Sequence, residues 1–369
     1  MSGTLRNPKG AVVAPSGGQG KEGQMMSGRR ARCLGVAVGV LVLLSVLCIG
    51  LGWAQGRRGG SFARVQEVHQ RHTDQLLATR GVVGTALGEA PDGTPEIKVF
   101  TDGASVPDVP ENLEGVPVTV EVTGEFVALA GPPPRAPMPR RPDARLTPTD
   151  RWPRPVPIGV STGNEGEVSA GTISCRVMAG STVYALSNNH VYALENTAPL
   201  GSRVLQPGLY DTRGVFSTAN VLGTLADYEP IDFSGGDNEI DAAIAFTTTS
   251  SLTNTTPSDG YGTPKSITAG AAAGLQVQKY GRTTRLTKGS VYGTSATVVV
   301  TYSSGTARFV NQILVKGRGF IGAGDSGSLL VTNPGCAPVG LLFAGTSDGS
   351  IAIANPIGPV LDRFGVTIK

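Results

Sequence analysis

The stretch Gly322-Ala323-Gly324-Asp325-Ser326-Gly327-Ser328 sets a hydroxyl in a segment too rich in glycine for helix or regular strand. It runs directly into the apolar Leu329-Leu330-Val331. Glycines reach backbone angles that other residues avoid, so successive N–H groups can converge on one point. Convergent N–H groups beside a hydroxyl are what a developing oxyanion requires. A serine hydroxyl is a weak nucleophile on its own; it needs a base within hydrogen-bond reach, oriented by a third group. Ser326 is therefore the candidate nucleophile, and the rest of the chain must supply an imidazole and a carboxylate.

Residues 158–369 contain one histidine, His190, in Leu186-Ser187-Asn188-Asn189-His190-Val191. It follows an apolar strand, where a loop presents it at a sheet edge. Carboxylates between His190 and Ser326 include Asp211, Asp227, Glu229, Asp232, Asp237, Glu239, Asp241 and Asp259. Only Asp241 opens onto a buried-looking run, Ala242-Ala243-Ile244-Ala245-Phe246. A carboxylate at the mouth of a core strand is costly unless a partner compensates, and an imidazole Nδ1–H is such a partner. The acids of Asp227–Glu239 read as a solvated loop rather than a calcium site. Chain order then separates scaffolds. Every histidine precedes Ser326, which excludes the Ser-acid-His order of the α/β-hydrolases. A subtilisin-type order would need an aspartate before His190 in a core strand, and the nearest, Asp143 and Asp150, fall in a proline-rich stretch. His190, Asp241 and Ser326 in the order His, Asp, Ser remain as the candidate catalytic set, and they require neither cofactor nor metal.

The elements that position them are read from composition. With 369 residues, 52 of them glycine, and few aromatics, the second half alternates Val, Thr, Ser and Ile in short runs split by turns. About a dozen candidate strands over 158–369, among them Gly171–Met178, Thr182–Leu186, Ile240–Phe246, Ala296–Tyr302 and Val339–Phe343, predict an all-β domain of two packed barrels. Only Asn355–Phe364 reads as helix there. Ahead of it, 60–131 reads as a small, acidic α+β unit: an amphipathic helix over 61–80 with Phe62, Val65, Val68, Leu76 and Leu77 on one side, then strands at Val82–Leu87, Glu96–Phe100 and Val116–Ala128. His69 and His72 lie one turn apart on that helix with no third ligand near, so a solvated face rather than a metal site is expected. Residues 132–157 are a proline- and arginine-rich linker, a semi-rigid spacer.

The net charge of +3 is uneven: 1–32 carries six Lys/Arg against one acid, so the remainder sums to −2. That leader reads as disordered and basic, and does not point to nucleic acid. Residues 33–54 are uncharged and long enough to span a bilayer, with the arginines before them expected on the cytoplasmic side. An uncleaved N-terminal hydrophobic helix anchoring an extracytoplasmic domain competes with a signal segment cut near Ala54, which would release a secreted protein.

Residues 158–369 resemble the bacterial trypsin/chymotrypsin-like serine peptidases. The motifs are Leu186-Ser-Asn-Asn-His190-Val, Glu239-Ile-Asp241-Ala-Ala-Ile-Ala and Gly324-Asp325-Ser326-Gly327-Ser328; Tyr280-Gly-Arg-Thr-Thr-Arg285 is similar to a streptogrisin-like Gly-x-Thr-Thr-Gly stretch. The resemblance implies a chymotrypsin-like double β-barrel and an endopeptidase acting on a protein or peptide partner. Ser326 would attack, His190 would relay the proton and Asp241 would orient it, with an oxyanion hole from the N–H groups of Gly324 and Ser326. It also implies Asp325 buried beneath that hole, paired with an arginine or a backbone N–H. The specificity pocket, from Phe320, Ile321, Phe343, Ala344 and Gly345, would be uncharged. Arg285 stands where relatives often have glycine. Export would permit a Cys175–Cys336 disulfide, but the two come from opposite ends of the domain, and separate thiols are expected. A non-catalytic binding protein on the same fold is the alternative reading, against which the complete His190, Asp241 and Ser326 set argues. Absence of a further module after Ser326 argues against a stress protease with a peptide-binding domain.

Overall fold

The computed structural model describes residues 61–103, 109–129 and 145–369. The leader 1–32, the apolar run 33–54 and most of the proline-rich linker lie outside them; among the described residues no helix is long and apolar enough to cross a membrane. Residues from Gly60 onward form one compact unit.

Two curled sheets dominate. In the first, strands follow the order Thr367–Ile368, Arg176–Ala179, Thr182–Ser187, Ala243–Thr247, Val221–Tyr228, Arg203–Leu205, Ser161–Asn164 and Gly171–Thr172. Residues 173–175 close the ring, since Ile173 N–H bonds to Val160 O, Ser174 N–H to Leu186 O and Leu186 N–H to Cys175 O. Inside lie Ile158, Val160, Ile173, Cys175, Leu186, Ile244 and Leu252, all buried. In the second sheet the ring runs through Gly305–Lys316, Ile351–Pro356, Pro338–Thr346, Leu329–Thr332, Gln276–Gly281 and Arg285–Tyr302. The last of these pairs back to the first from Ser290↔Lys316 to Tyr302↔Gly305. This is the expected double barrel, and closure leaves neither ring an open edge. Each large aliphatic or aromatic side chain fully buried in these cores contributes roughly 1.5–3 kcal/mol.

The hairpin Arg285–Tyr302/Gly305–Lys316 is longer than the alternation suggested, because its inward residues are interrupted by half-buried Ser and Thr. Its tip is tied down by the Glu195 carboxylate, which accepts from Ser303 N–H and Oγ and from Ser304 N–H. Near the C-terminus the helix is Ile357–Phe364, ended by Gly365 in the left-handed region at φ 59°; Asn355 and Pro356 belong to the preceding strand rather than to the helix.

The N-terminal residues do not form a separate sheet. Val82–Glu89 pairs antiparallel with Arg285–Tyr302, extending the second barrel's sheet outward through Pro95–Thr101 and the parallel Val116–Val122. The strand expected over Val116–Ala128 is broken at Thr123-Gly124, where Gly124 takes φ 74°, and a short strand Phe126–Ala128 turns into the barrel. The helix ends at residue 77. Its inward face is Val65, Val68, His69, Thr73 and Leu76. His69 is thus not on a solvated face: it is 2% exposed, four residues from Val65, with Nε2 2.9 Å from Thr85 Oγ1. His72 turns elsewhere, to the Glu114 carboxylate at 2.9 Å.

Burial pushes the His69 imidazole down from 6.5 to about 4. A base whose folded-state pKa is depressed binds its proton more readily when unfolded, so its contribution is present above pH 6.5 and lost as pH falls towards 4. Wild-type protein is expected to lose about 3 kcal/mol across that window from this group. His69→Gln should flatten that part of the stability–pH curve, read from urea midpoints at pH 7 and pH 4; an unchanged slope would remove His69 as its source.

Candidate active site

Strand Thr182–Ser187 delivers Asn188 and then a one-turn helix, Asn189–Tyr192, that carries His190. The loop expected there is therefore a short helix, held because Asn188 Nδ2 donates to Asp241 O at 2.7 Å and Asn189 Nδ2 to Glu229 O at 2.6 Å. Asp241 precedes the adjacent strand Ala243–Thr247, whose register puts Ala243 opposite Ser187. Its carboxylate is fully buried and surrounded by donors. Oδ2 lies 2.5 Å from His190 Nδ1 and accepts from the Tyr302 hydroxyl at 2.9 Å, while Oδ1 accepts from His190 N–H at 3.2 Å. The backbone N–H of Asp241 donates to Asn355 Oδ1, and Asn355 in turn donates to Gln312. A carboxylate at Nδ1 requires that nitrogen to carry the hydrogen, which leaves Nε2 as an acceptor. Nε2 is buried and has no hydrogen-bond partner among the described residues.

The glycine-rich loop is built around Asp325. Its Oδ2 accepts from Gly322 N–H at 3.0 Å, Thr284 Oγ1 at 2.6 Å and Lys279 Nζ at 3.0 Å; Oδ1 accepts from Thr283 N–H at 2.8 Å. The partner is thus a lysine together with backbone N–H groups, not an arginine. Lys279 and Asp325 are both wholly buried. Desolvation lowers the Lys279 ammonium below its ordinary range, against the pull of Asp325. Gly324, at φ 95°, is where a side chain has no place: a Cβ would lie 2.7 Å from Arg282 Nη1 and 2.8 Å from Thr283 Oγ1. Thr172 of the first barrel crosslinks the loop, its N–H donating to Ser326 O at 2.8 Å and its Oγ1 to Gly324 O at 2.9 Å.

Ser326 Oγ donates to Phe343 O at 3.1 Å and lies 3.4 Å from Leu129 O. The Leu129 carbonyl also accepts from Gly324 N–H at 3.0 Å. His190 and Leu129 line one cleft together with Gly171, Val191 and Tyr302. The structure therefore brings His190 to Asp241 directly, and sets the Ser326 hydroxyl on Phe343 O and beside the carbonyl of Leu129, which lines the His190 cleft.

Of the five expected pocket residues, Phe320 and Ile321 share a buried apolar cluster with Leu129, and Gly345 approaches Ile321 so closely that a Cβ would sit 3.0 Å from it. Phe343 and Ala344 face away, into the cluster of Tyr302 and Phe309, with the Phe343 ring 4.7 Å from that of Phe309. The pairing register shifts between Leu342 and Ala344, which interrupts the simple alternation of the strand and lets both neighbours join that cluster. Cys175 and Cys336 are separate free thiols. In the acidic loop, Asp227 and Glu229 pair with Arg363 and Asp237 with Arg308. Arg285, at φ 57°, occupies the left-handed region, which accounts for glycine being at home there.

Sequence reading missed Tyr302, Thr172, Lys279 and Leu129. Lys279 left a trace, a cation in the middle of the core strand Gln276–Gly281; the others depend on contacts between distant segments. Tyr302→Phe removes one donor from Asp241 and should cost about 1.5–3 kcal/mol. Lys279→Met leaves Asp325 buried without its cation and should cost more, about 3–5 kcal/mol. Chemical denaturation of the two variants at pH 7 checks both magnitudes and their order.

No protein-family model matches the chain, and no curated protein matches it. Among solved structures it is similar to a glutamic-acid-specific serine protease, at TM-score 0.43 and 23% identity over 58% of this chain and all of the other. It is similar also to protease A of Thermobifida fusca, at 0.42 and 23% over 58% of this chain and 98% of the other. A third similarity is to the chymotrypsin of Cellulomonas bogoriensis, at 0.41 and 20% over 57% and 97%.

Proposed function

We propose that the chain is a serine endopeptidase that hydrolyses peptide bonds through His190, Asp241 and Ser326. The observation that carries this reading is the buried Asp241 carboxylate on His190 Nδ1. It leaves Nε2 free in a cleft where Gly324 N–H already holds a carbonyl oxygen next to Ser326 Oγ. Ser326 Oγ turns from Phe343 O towards Nε2, which takes its proton as Oγ attacks the carbonyl carbon. The oxyanion is held by the N–H groups of Gly324 and Ser326; each such donor is worth about 10²–10³ in rate. Asp241, steadied by Tyr302, stabilises the imidazolium and keeps its ring oriented. Nε2–H then protonates the leaving amine, and water hydrolyses the acyl ester by the same relay. Phe320, Ile321 and Gly345 leave the primary pocket uncharged, which fits an apolar side chain. Residues 33–54, uncharged and preceded by arginines, would export the domain, either as an anchor or as a cleaved signal segment.

A binding protein on this fold is the second reading, favoured by one fact: the serine hydroxyl rests on Phe343 O rather than on the imidazole. Reaction with a fluorophosphonate separates the two. Wild-type chain should be labelled, Ser326→Ala not at all, and His190→Ala at least about 10³-fold more slowly. A folded wild-type chain that stays unlabelled, alone and as Leu129→Gly with the cleft loosened, would leave the binding reading.

A further inference from the structure

The three-residue strand Phe126–Ala128 lies outside the closed ring of the second barrel, yet it pairs with two of the ring's strands. It pairs antiparallel with the strand that walls the cleft, Phe126 opposite Thr346, Val127 opposite Gly345 and Ala128 opposite Ala344. On its other side it runs parallel to residues 300–301. The next residue, Leu129, puts its carbonyl oxygen on Gly324 N–H and within 3.4 Å of Ser326 Oγ. Its side chain is 6% exposed, in the apolar cluster with Phe320, Ile321 and Leu342. An extended peptide with its main chain zipped to a sheet edge and alternate side chains in pockets is how a strand-adding ligand binds. Here the main chain reaches, at the Leu129 carbonyl, the atoms that the reading above assigns to catalysis.

We propose that this segment displays the substrate class of the site. The preferred substrate is an extended apolar peptide cut on the carboxyl side of leucine, with a small residue before it and an aromatic one three positions before it. The bond between Leu129 and Ala130 of the chain itself is one such substrate. This rests on the serine-peptidase reading. Ser326 Oγ bonds to the Leu129 carbonyl carbon as the bond to Ala130 nitrogen breaks, and the serine proton passes through His190 to that nitrogen. Water then splits the ester, giving a Leu129 carboxylate, a free Ala130 amine and the original serine. The geometry assigns the binding positions residue by residue: Leu129 to the floor made by Phe320 and Ile321, Ala128 beside Ala344 and His190, Val127 against Gly345. Apolar Phe320, Ile321 and Leu342 surround the leucine position, so a substrate with Lys or Glu there would bury an unpaired charge. The N-terminal helix and strands hold the segment in place through Glu121, which accepts from Tyr292 Oη at the hairpin and from Lys316 at 2.6 Å, and through Asp74 on Arg308 at 2.6 Å.

The test uses the full chain. Wild type, Ser326→Ala and Leu129→Lys are incubated at pH 8 and followed by intact mass and N-terminal sequencing. In parallel, wild type is assayed on acetyl-Phe-Val-Ala-Leu-aminomethylcoumarin and on its Lys and Glu counterparts. Expected are a new N-terminus at Ala130 in wild type, none in Ser326→Ala, and a rate at least about 100-fold lower in Leu129→Lys. The leucine peptide should exceed both charged peptides by at least about 100-fold in kcat/KM. A missing cut, a cut at another bond, or a preference for a charged residue overturns the proposal. Should fluorophosphonate labelling of Ser326 persist in that case, the peptidase reading stands and only the substrate assignment falls; loss of labelling, peptide hydrolysis and cut together overturns both.

Discussion

A carboxylate taken fully out of water is costly unless donors enclose it, and the enclosure of Asp241 governs how the two barrels meet. Two of its donors belong to His190 on the first barrel; the third is the Tyr302 hydroxyl at the end of the second barrel's long hairpin. Asn355, from another strand of that barrel, receives the Asp241 backbone N–H. The interface is thus a shared solvation shell for one side chain. The Glu195 clamp on Ser303 and Ser304 serves the same end, since a swinging hairpin tip would withdraw the tyrosine.

The nucleophile loop solves a second burial problem in the same manner. Asp325 lies inside the turn rather than on it, and its donors come from the loop, from Thr283 and Thr284, and from Lys279 one strand away. Such a bundle fixes the backbone angles at Gly324 and Gly327, and with them the direction of the N–H groups. Thr172 carries the constraint across to the first barrel. Preorganised N–H groups are useful because they need no reorganisation when charge appears on the bound oxygen.

The N-terminal extension shares its sheet with the second barrel, so the strand Phe126–Ala128 enters the cleft with its ends already positioned. Intramolecular delivery of this kind raises the local concentration of a weak ligand far above what a free peptide reaches. In the proposed peptidase reading, the carbonyl held by Gly324 N–H beside a serine hydroxyl directed at Phe343 O is a bound state in which the reacting groups are assembled but not yet engaged.

The amino-acid sequence by itself determined the fold class and marked out the candidate site residues. Short alternating strands could only be satisfied by closed β-sheets. One histidine in the domain and one acid heading a core strand left little choice for His190 and Asp241, and the glycines around Ser326 announced unusual backbone angles. Local pattern was also enough for the free cysteines, which stand in segments from opposite ends of the domain. Tertiary structure decided the rest, because the relevant contacts join residues far apart in the chain and side-chain direction depends on register. Tyr302 reaches Asp241 across 61 positions and Leu129 reaches Ser326 across 197. Register on the wall strand sent Phe343 and Ala344 away from the leucine position. Only the folded chain shows that His69 lies inside and that the N-terminal strands continue the second barrel's sheet, since no periodicity specifies which edge a strand will join.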